Sequence, residues 1–239
     1  MTTLVIDGDI IAYRVSTICE QPIQWADGLW TLHAYEDDVR KGLDEDIYKL
    51  VEESAADKVI VALSDTANFR KGVADYYKAN RKNVRRPMLL PFARDYVMER
   101  HAGVIWKNLE ADDVLGILTS SSDEYMAWSI DKDLLTIPGK HWIDQEVVTI
   151  SEEQADYTFL KQALTGDLTD NYGGCPKIGD KTADKILSED CSWATVVKTY
   201  LKAGLTEEVA LENARLARIL RAGEYNQETG EVALWNPSV

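Results

Sequence analysis

Cysteine and histidine are scarce in this 239-residue chain, with three of each. Cys19, Cys175 and Cys191 are odd in number and follow no paired spacing, which excludes a disulfide framework. His33, His101 and His141 stand far apart, so a histidine- or thiolate-based zinc site is excluded as well. No stretch approaches the roughly 18 unbroken apolar residues that a membrane span needs, and no membrane partner is expected. The opening MTTLVIDGDII has no basic n-region and puts Asp7 and Asp9 where a signal peptide is apolar; a cytoplasmic location is expected. Positive charge is also short, at 26 Lys and Arg against 41 Asp and Glu. Averaged over the chain, a net charge of −15 argues against a polyanionic partner.

The charge is unevenly placed, however. Segment 36–57 is acidic, whereas 70–86 carries Arg70, Lys71, Lys78, Arg81, Lys82, Arg85 and Arg86 against a single Asp75. Such a run is either a solvated face or a phosphate-binding one. A chain whose site is a carboxylate cluster also counts as acidic on paper, because the count ignores bound cations. The 45% apolar and 28% charged residues are those of an ordinary soluble globular protein. The length suits one large domain or a main domain with a smaller appendage.

Short apolar runs alternate with helical patterns through the first 150 residues. TLVID (3–7) reads as a strand and IIAYRVSTI as a helix; WADGLWTL holds an Asp-Gly hairpin signal. Val39, Leu43, Ile47, Leu50 and Val51 have helical spacing, and KVIVAL (58–63) is a second strand. A helix follows Pro87, then a strand at GVIW (103–106), a helix to about Ser120, a strand at EYMAWSID (124–131) and a hairpin over 142–150. From Ser151 onward the chain reads as almost entirely helical. The pattern predicts an α/β fold, a mostly parallel sheet flanked by helices. A boundary is predicted between residues 1–150 and a helical part, 151–239.

Acids follow the strands: Asp7, Asp65, Glu110 with Asp112, then Asp131 with Asp133. In parallel sheets that edge is where ligands bind. Carboxylates gathered there repel one another unless a cation sits between them, and a hard divalent ion prefers oxygen donors. Two such ions suit phosphodiester hydrolysis. YYKANRK (76–82) supplies complementary parts: a lysine for the scissile phosphate, an arginine for its neighbour and a tyrosine able to stack on a base. TGDLTDNYGGCPKIGDKTADKIL (165–187) pairs Asp167 and Asp170 with Gly173, Gly174 and Gly179, then opens a helix with Lys181 and Thr182. That is a grip for one DNA backbone without base reading.

Taken in order, VIDGD (5–9), SD (64–65), YYKANRK, EADD (110–113), SIDKD (129–133) and TGDLTDN…IGDKTA (165–183) resemble the motifs of flap endonucleases and 5′→3′ exonucleases. LARILRAGEYN (216–226) and VALWNP (232–237) resemble the end of the phage replication 5′→3′ exonucleases. The resemblance implies a PIN-like domain, two Mg²⁺ or Mn²⁺ ions, and a helix–three-turn–helix that binds duplex DNA, with K⁺ at its turn. It implies a first metal site of Asp7, Asp65, Glu110 and Asp112, with Asp112 bridging to a second. The second comprises Asp131, Asp133 and Asp167, with Asp113 and Asp170 in support; Asp9 is ambiguous. Lys78 and Arg81 match the active-site cations, and Tyr77 the stacking aromatic. Arg70, Lys82, Arg85, Arg86, Lys177, Gly179, Lys181 and Thr182 complete the expected DNA contacts.

The implied activity is 5′→3′ exonucleolytic hydrolysis of duplex DNA and RNA–DNA hybrids by a monomer. The segment after Lys78 is shorter than the arch of larger relatives, so a 5′ flap endonuclease is the nearest alternative. A PIN-type ribonuclease would stop near the fourth strand. A non-enzymatic DNA-binding protein would not need a lysine and an arginine beside the acids.

Overall fold

The computed structural model describes residues 1–237. The apolar run Thr3–Asp7 forms β1, and Asp7 caps α1 (Gly8–Ile18) by accepting a hydrogen bond from the Ile10 N–H at 3.2 Å. The hairpin read at Asp27-Gly28 is present: β2 (Gln21–Gln24) pairs antiparallel with β3 (Trp30–His33). Val39, Leu43 and Ile47 bury one face of α2 (Glu36–Ser54), and β4 (Lys58–Ala62) follows. A single turn, α3 (Arg70–Val73), opens the basic stretch, and α4 (Leu90–Arg100) begins with Pro91 in its first turn. After β5 (Gly103–Val104) come α5 (Ala111–Ser121) and β6 (Tyr125–Trp128). The expected second hairpin joins β7 (Gly139–Ile143) to β8 (Glu146–Ile150) through Asp144 and Gln145, both at positive φ.

The six-stranded sheet runs in the order β5-β4-β1-β6-β7-β8, and only β8 is antiparallel. Because side chains alternate along a strand, β1 feeds two cores. Leu4 and Ile6 pack with Ile11, Leu43, Ile47 and Val97, whereas Val5 packs with Val114, Leu115 and Leu220. Each such buried aliphatic side chain contributes about 1.5–3 kcal/mol. The carboxyl ends of β4, β1 and β6 therefore meet the amino end of α5 along one edge. The third strand is shorter than GVIW suggested: only Gly103 and Val104 pair with β4, and Trp106 leaves the sheet to stack on Tyr225.

Beyond Ser151, α6 (Glu152–Thr165), α7 (Asp180–Glu189), α8 (Trp193–Lys202) and α9 (Glu207–Ala217) enclose a separate core of Phe159, Leu164, Leu187, Val196, Tyr200 and Ala214. Ala74 and Tyr77, from the basic stretch, are part of it. The helical reading fails at the end, where β9 (Tyr225–Asn226) and β10 (Glu231–Val232) form a short hairpin. Residues 219 and 220 return to the sheet and pack beside α5, across the boundary expected near residue 150. Gly166 and Gly174 cross backbone to backbone at positive φ; a Cβ on Gly174 would lie 2.4 Å from the Gly166 nitrogen. This crossing sets the path of the loop between α6 and α7.

Candidate active site

Asp7, at the end of β1, is 3% exposed, and its carboxylate also accepts from the Ser129 hydroxyl at 3.0 Å. Burial pushes its pKa up to about 7, and the neighbouring charges of Asp9 and Asp131 act in the same direction. Asp112, in the first turn of α5, is raised well above the usual carboxylate range, by burial first and then by Asp7. Glu110 and Asp131 add to that rise while Lys78 opposes it. Asp133 is pushed up to about 6 by burial, Asp131 and Asp167, with Gln162 opposing. Two adjoining acidic groups result, Asp7–Asp112–Asp131 and Asp131–Asp133–Asp167, sharing Asp131.

Cations face the first group. Lys78, at φ +54°, donates its backbone N–H to the Asp170 carbonyl at 2.9 Å. Its ammonium bridges Glu110 and, at 3.4 Å, Asp170. Arg81 reaches the other Asp170 oxygen at 2.6 Å. Burial would raise the Glu110 pKa, but Lys78 and Arg70 outweigh it and hold the carboxyl at about 2. Asp170 thus serves as counter-ion to Lys78 and Arg81.

Three expectations are corrected by this geometry. Arg70, expected at the DNA surface, is 2% exposed. Its guanidinium pairs with Asp113 at 2.7 and 2.8 Å, reaches Glu110, and donates to the carbonyls of Leu216 and Arg218. Asp113, expected as a supporting ligand, also accepts from the N–H groups of Glu110 and Leu220, which fills its acceptor capacity. Tyr77, expected to stack on a base, is 3% exposed and points its hydroxyl at Glu110 (2.9 Å) and Asp170 (2.8 Å). Asp65 turns to the loop N–H groups of Asn108 and Thr66, chiefly the former, and they lower its pKa. Asp9 stands beside Asp7.

Among the expected DNA contacts, Lys82 and Arg86 are exposed, and Arg85 pairs with Glu20 at 2.6 and 2.8 Å. Lys177, Gly179, Lys181 and Thr182 are exposed around the start of α7, which Gly179 caps. Gln162 near Asp133, and Arg94 on Asp9, carry no motif and were not foreseen.

Among the described residues, no three acidic, histidine or cysteine side chains stand in closed metal-binding geometry. The donor set nevertheless suits a hard divalent cation: it is all carboxylate oxygen, and burial, reinforced by neighbouring acids, raises the pKa of both Asp7 and Asp112. Asp7, Asp112 and Asp131 would hold one ion and Asp131, Asp133 and Asp167 another. No described helix is long and apolar enough to cross a membrane.

Residues 2–164 match the family model described as 5′-3′ exonuclease, N-terminal resolvase-like domain. The exonuclease of Escherichia phage T7 is 29% identical, over 98% of this chain and 93% of the relative. The exodeoxyribonuclease of Enterobacteria phage T3 is 28% identical, over 98% and 92%. The fold resembles that of a bacteriophage T5 protein co-crystallised with metal ions, with a TM-score of 0.68 at 17% identity over 91% of this chain and 89% of that one. A complex of the T5 flap endonuclease with DNA and metal ions matches equally well, at 16% identity and the same coverage. A family model that spans most of the chain, on a mostly parallel α/β fold with carboxylates at its carboxyl edge, places this protein in the 5′-3′ exonuclease family.

Proposed function

We propose that the protein is a divalent-metal-dependent 5′→3′ exodeoxyribonuclease acting as a monomer in the cytoplasm, on duplex or nicked DNA and on RNA–DNA hybrids. One observation carries the reading: Asp7, Asp112 and Asp131 converge at the sheet edge while Lys78 stands across Glu110 from them. The T7 and T3 relatives, named exonuclease and exodeoxyribonuclease over nearly their whole length, support it.

When bound, two Mg²⁺ or Mn²⁺ ions would supply an activated water and stabilise the leaving oxygen. The chain's own residues do the rest. Lys78 and Arg81 rest on Glu110 and Asp170, and a phosphate competes for both. The Tyr77 hydroxyl fixes Glu110 and Asp170 from beneath and so sets where the two cations rest. Glycine-capped α7, with Lys177, Lys181 and Thr182, would hold a duplex backbone, with K⁺ at the α6–α7 turn. Residues 1–150 would form the catalytic domain and 151–239 the DNA-gripping part, whose last two residues lie outside the described structure.

A second reading, 5′ flap endonuclease, is favoured by the close fold match to the T5 flap endonuclease. Blunt, nicked and 5′-flapped duplexes, each labelled at the 5′ end, separate the two when incubated with and without Mg²⁺. Mononucleotides released from the blunt and nicked duplexes support the first reading. A single oligonucleotide cut from the flap alone supports the second. No cleavage of any duplex with Mg²⁺ or Mn²⁺ would overturn both.

A further inference from the structure

Asp9 and Arg94 form a closed ring with Ser64 at the rim of the acidic groups. One Asp9 oxygen accepts from the Ser64 N–H at 2.9 Å, and the other is paired to the Arg94 guanidinium. Arg94 in turn donates to the Ser64 carbonyl. The Ser64 hydroxyl accepts from the Ala111 N–H at 3.0 Å, immediately before Asp112. The ring therefore touches the chain beside both Asp7 and Asp112. Asp9 is a hard oxygen donor two residues from Asp7, yet Arg94, arriving from α4, occupies the oxygen that would otherwise be free.

We propose that Arg94 is a positioning residue that withholds Asp9 from the cation site, so that the Asp9–Arg94 pair sets the charge and hence the cation affinity of that site. The inference rests on the metal-dependent reading above. Its sign separates it from a merely structural role. A lock that only fastens the Ser64 turn would be loosened by removing either partner, and cation binding would weaken in each case. A charge-setting pair gives opposite effects. Arg94→Gln leaves an extra negative charge beside the site, Asp9→Asn leaves an extra positive one, and the double variant restores the balance.

The test measures free Mn²⁺ by electron paramagnetic resonance during titration of the full chain. Arg94→Gln is expected to bind Mn²⁺ about tenfold more tightly than the unaltered chain, Asp9→Asn about tenfold more weakly, and the double variant within about twofold. Equal or weaker binding by Arg94→Gln would overturn the proposal. Should Arg94→Gln fail to fold, the double variant decides: recovery to within about twofold of the unaltered chain supports the charge balance, whereas weakening as large as that of Asp9→Asn, or unchanged or tighter binding in Asp9→Asn itself, overturns it. Absence of any Mn²⁺ binding by the unaltered chain would remove the metal-dependent reading itself, and this proposal with it.

Discussion

Replacing Arg70 by alanine should damage folding rather than DNA binding. The guanidinium is 2% exposed and holds the carboxylate of Asp113, which is 0% exposed, along with the carbonyls of Leu216 and Arg218. Taking the arginine away leaves a buried, uncompensated charge and two buried acceptors that lose a donor. Removing one partner of such a pair costs about 3–5 kcal/mol. With a urea slope of about 2–3 kcal/mol per molar, the unfolding midpoint should fall by roughly 1.5 M. Urea titrations followed by tryptophan fluorescence and far-ultraviolet circular dichroism would read that shift. The companion variant, Arg70→Met with Asp113→Asn, strands no charge and keeps an acceptor for the Glu110 and Leu220 N–H groups, so it should recover part of the loss. A midpoint unchanged in Arg70→Ala, together with weaker duplex binding and a shallower salt dependence, is the signature of a phosphate contact and would refute this placement.

Asp131→Asn should abolish cleavage in Mg²⁺ while a gel-shift assay shows duplex binding within a few-fold of the unaltered chain, since Asp131 belongs to both acidic groups; equal cleavage by the variant would deny it that role. In chelator, the folded protein keeps a proton on Asp7 that the unfolded chain has lost between pH 3.8 and about 7. Stability from this group therefore falls as pH rises through that window, by about 2 kcal/mol between pH 5.5 and 7. Calorimetry in chelator should show the melting temperature dropping over that interval, with Mg²⁺ flattening the trend; a rise would contradict it. Gly174→Ala places a methyl group 2.4 Å from the Gly166 nitrogen at φ +62°, so a loss of about 2 kcal/mol or more is expected in thermal melts.

The sheet domain was legible because its strands are β-branched runs separated by helices with apolar positions three and four apart. The acids at the sheet edge were legible for the same reason, since Asp7, Asp112, Asp131 and Asp133 sit where the regular elements start or stop. What stayed hidden is which way neighbouring, chemically equivalent side chains turn. Tyr76 and Tyr77 are adjacent tyrosines, and only the packing of Ala74 and Tyr77 into the α6–α9 core sends the second inward. Asp9 and Asp65 both follow a strand by two or three residues, and the direction of the loop after β4 sends Asp65 to Asn108 instead. Arg70 read as one more cation in a basic run, because its partner Asp113 lies 43 residues away and nothing local announces the pairing.

The most direct measurement is a crystal soaked in Mn²⁺, with the anomalous signal located against the side chains. One peak is expected among Asp7, Asp112 and Asp131 and a second among Asp131, Asp133 and Asp167, with Asp113 coordinating neither. Manganese found elsewhere, or those carboxylates standing apart with no ion between them, would contradict the account.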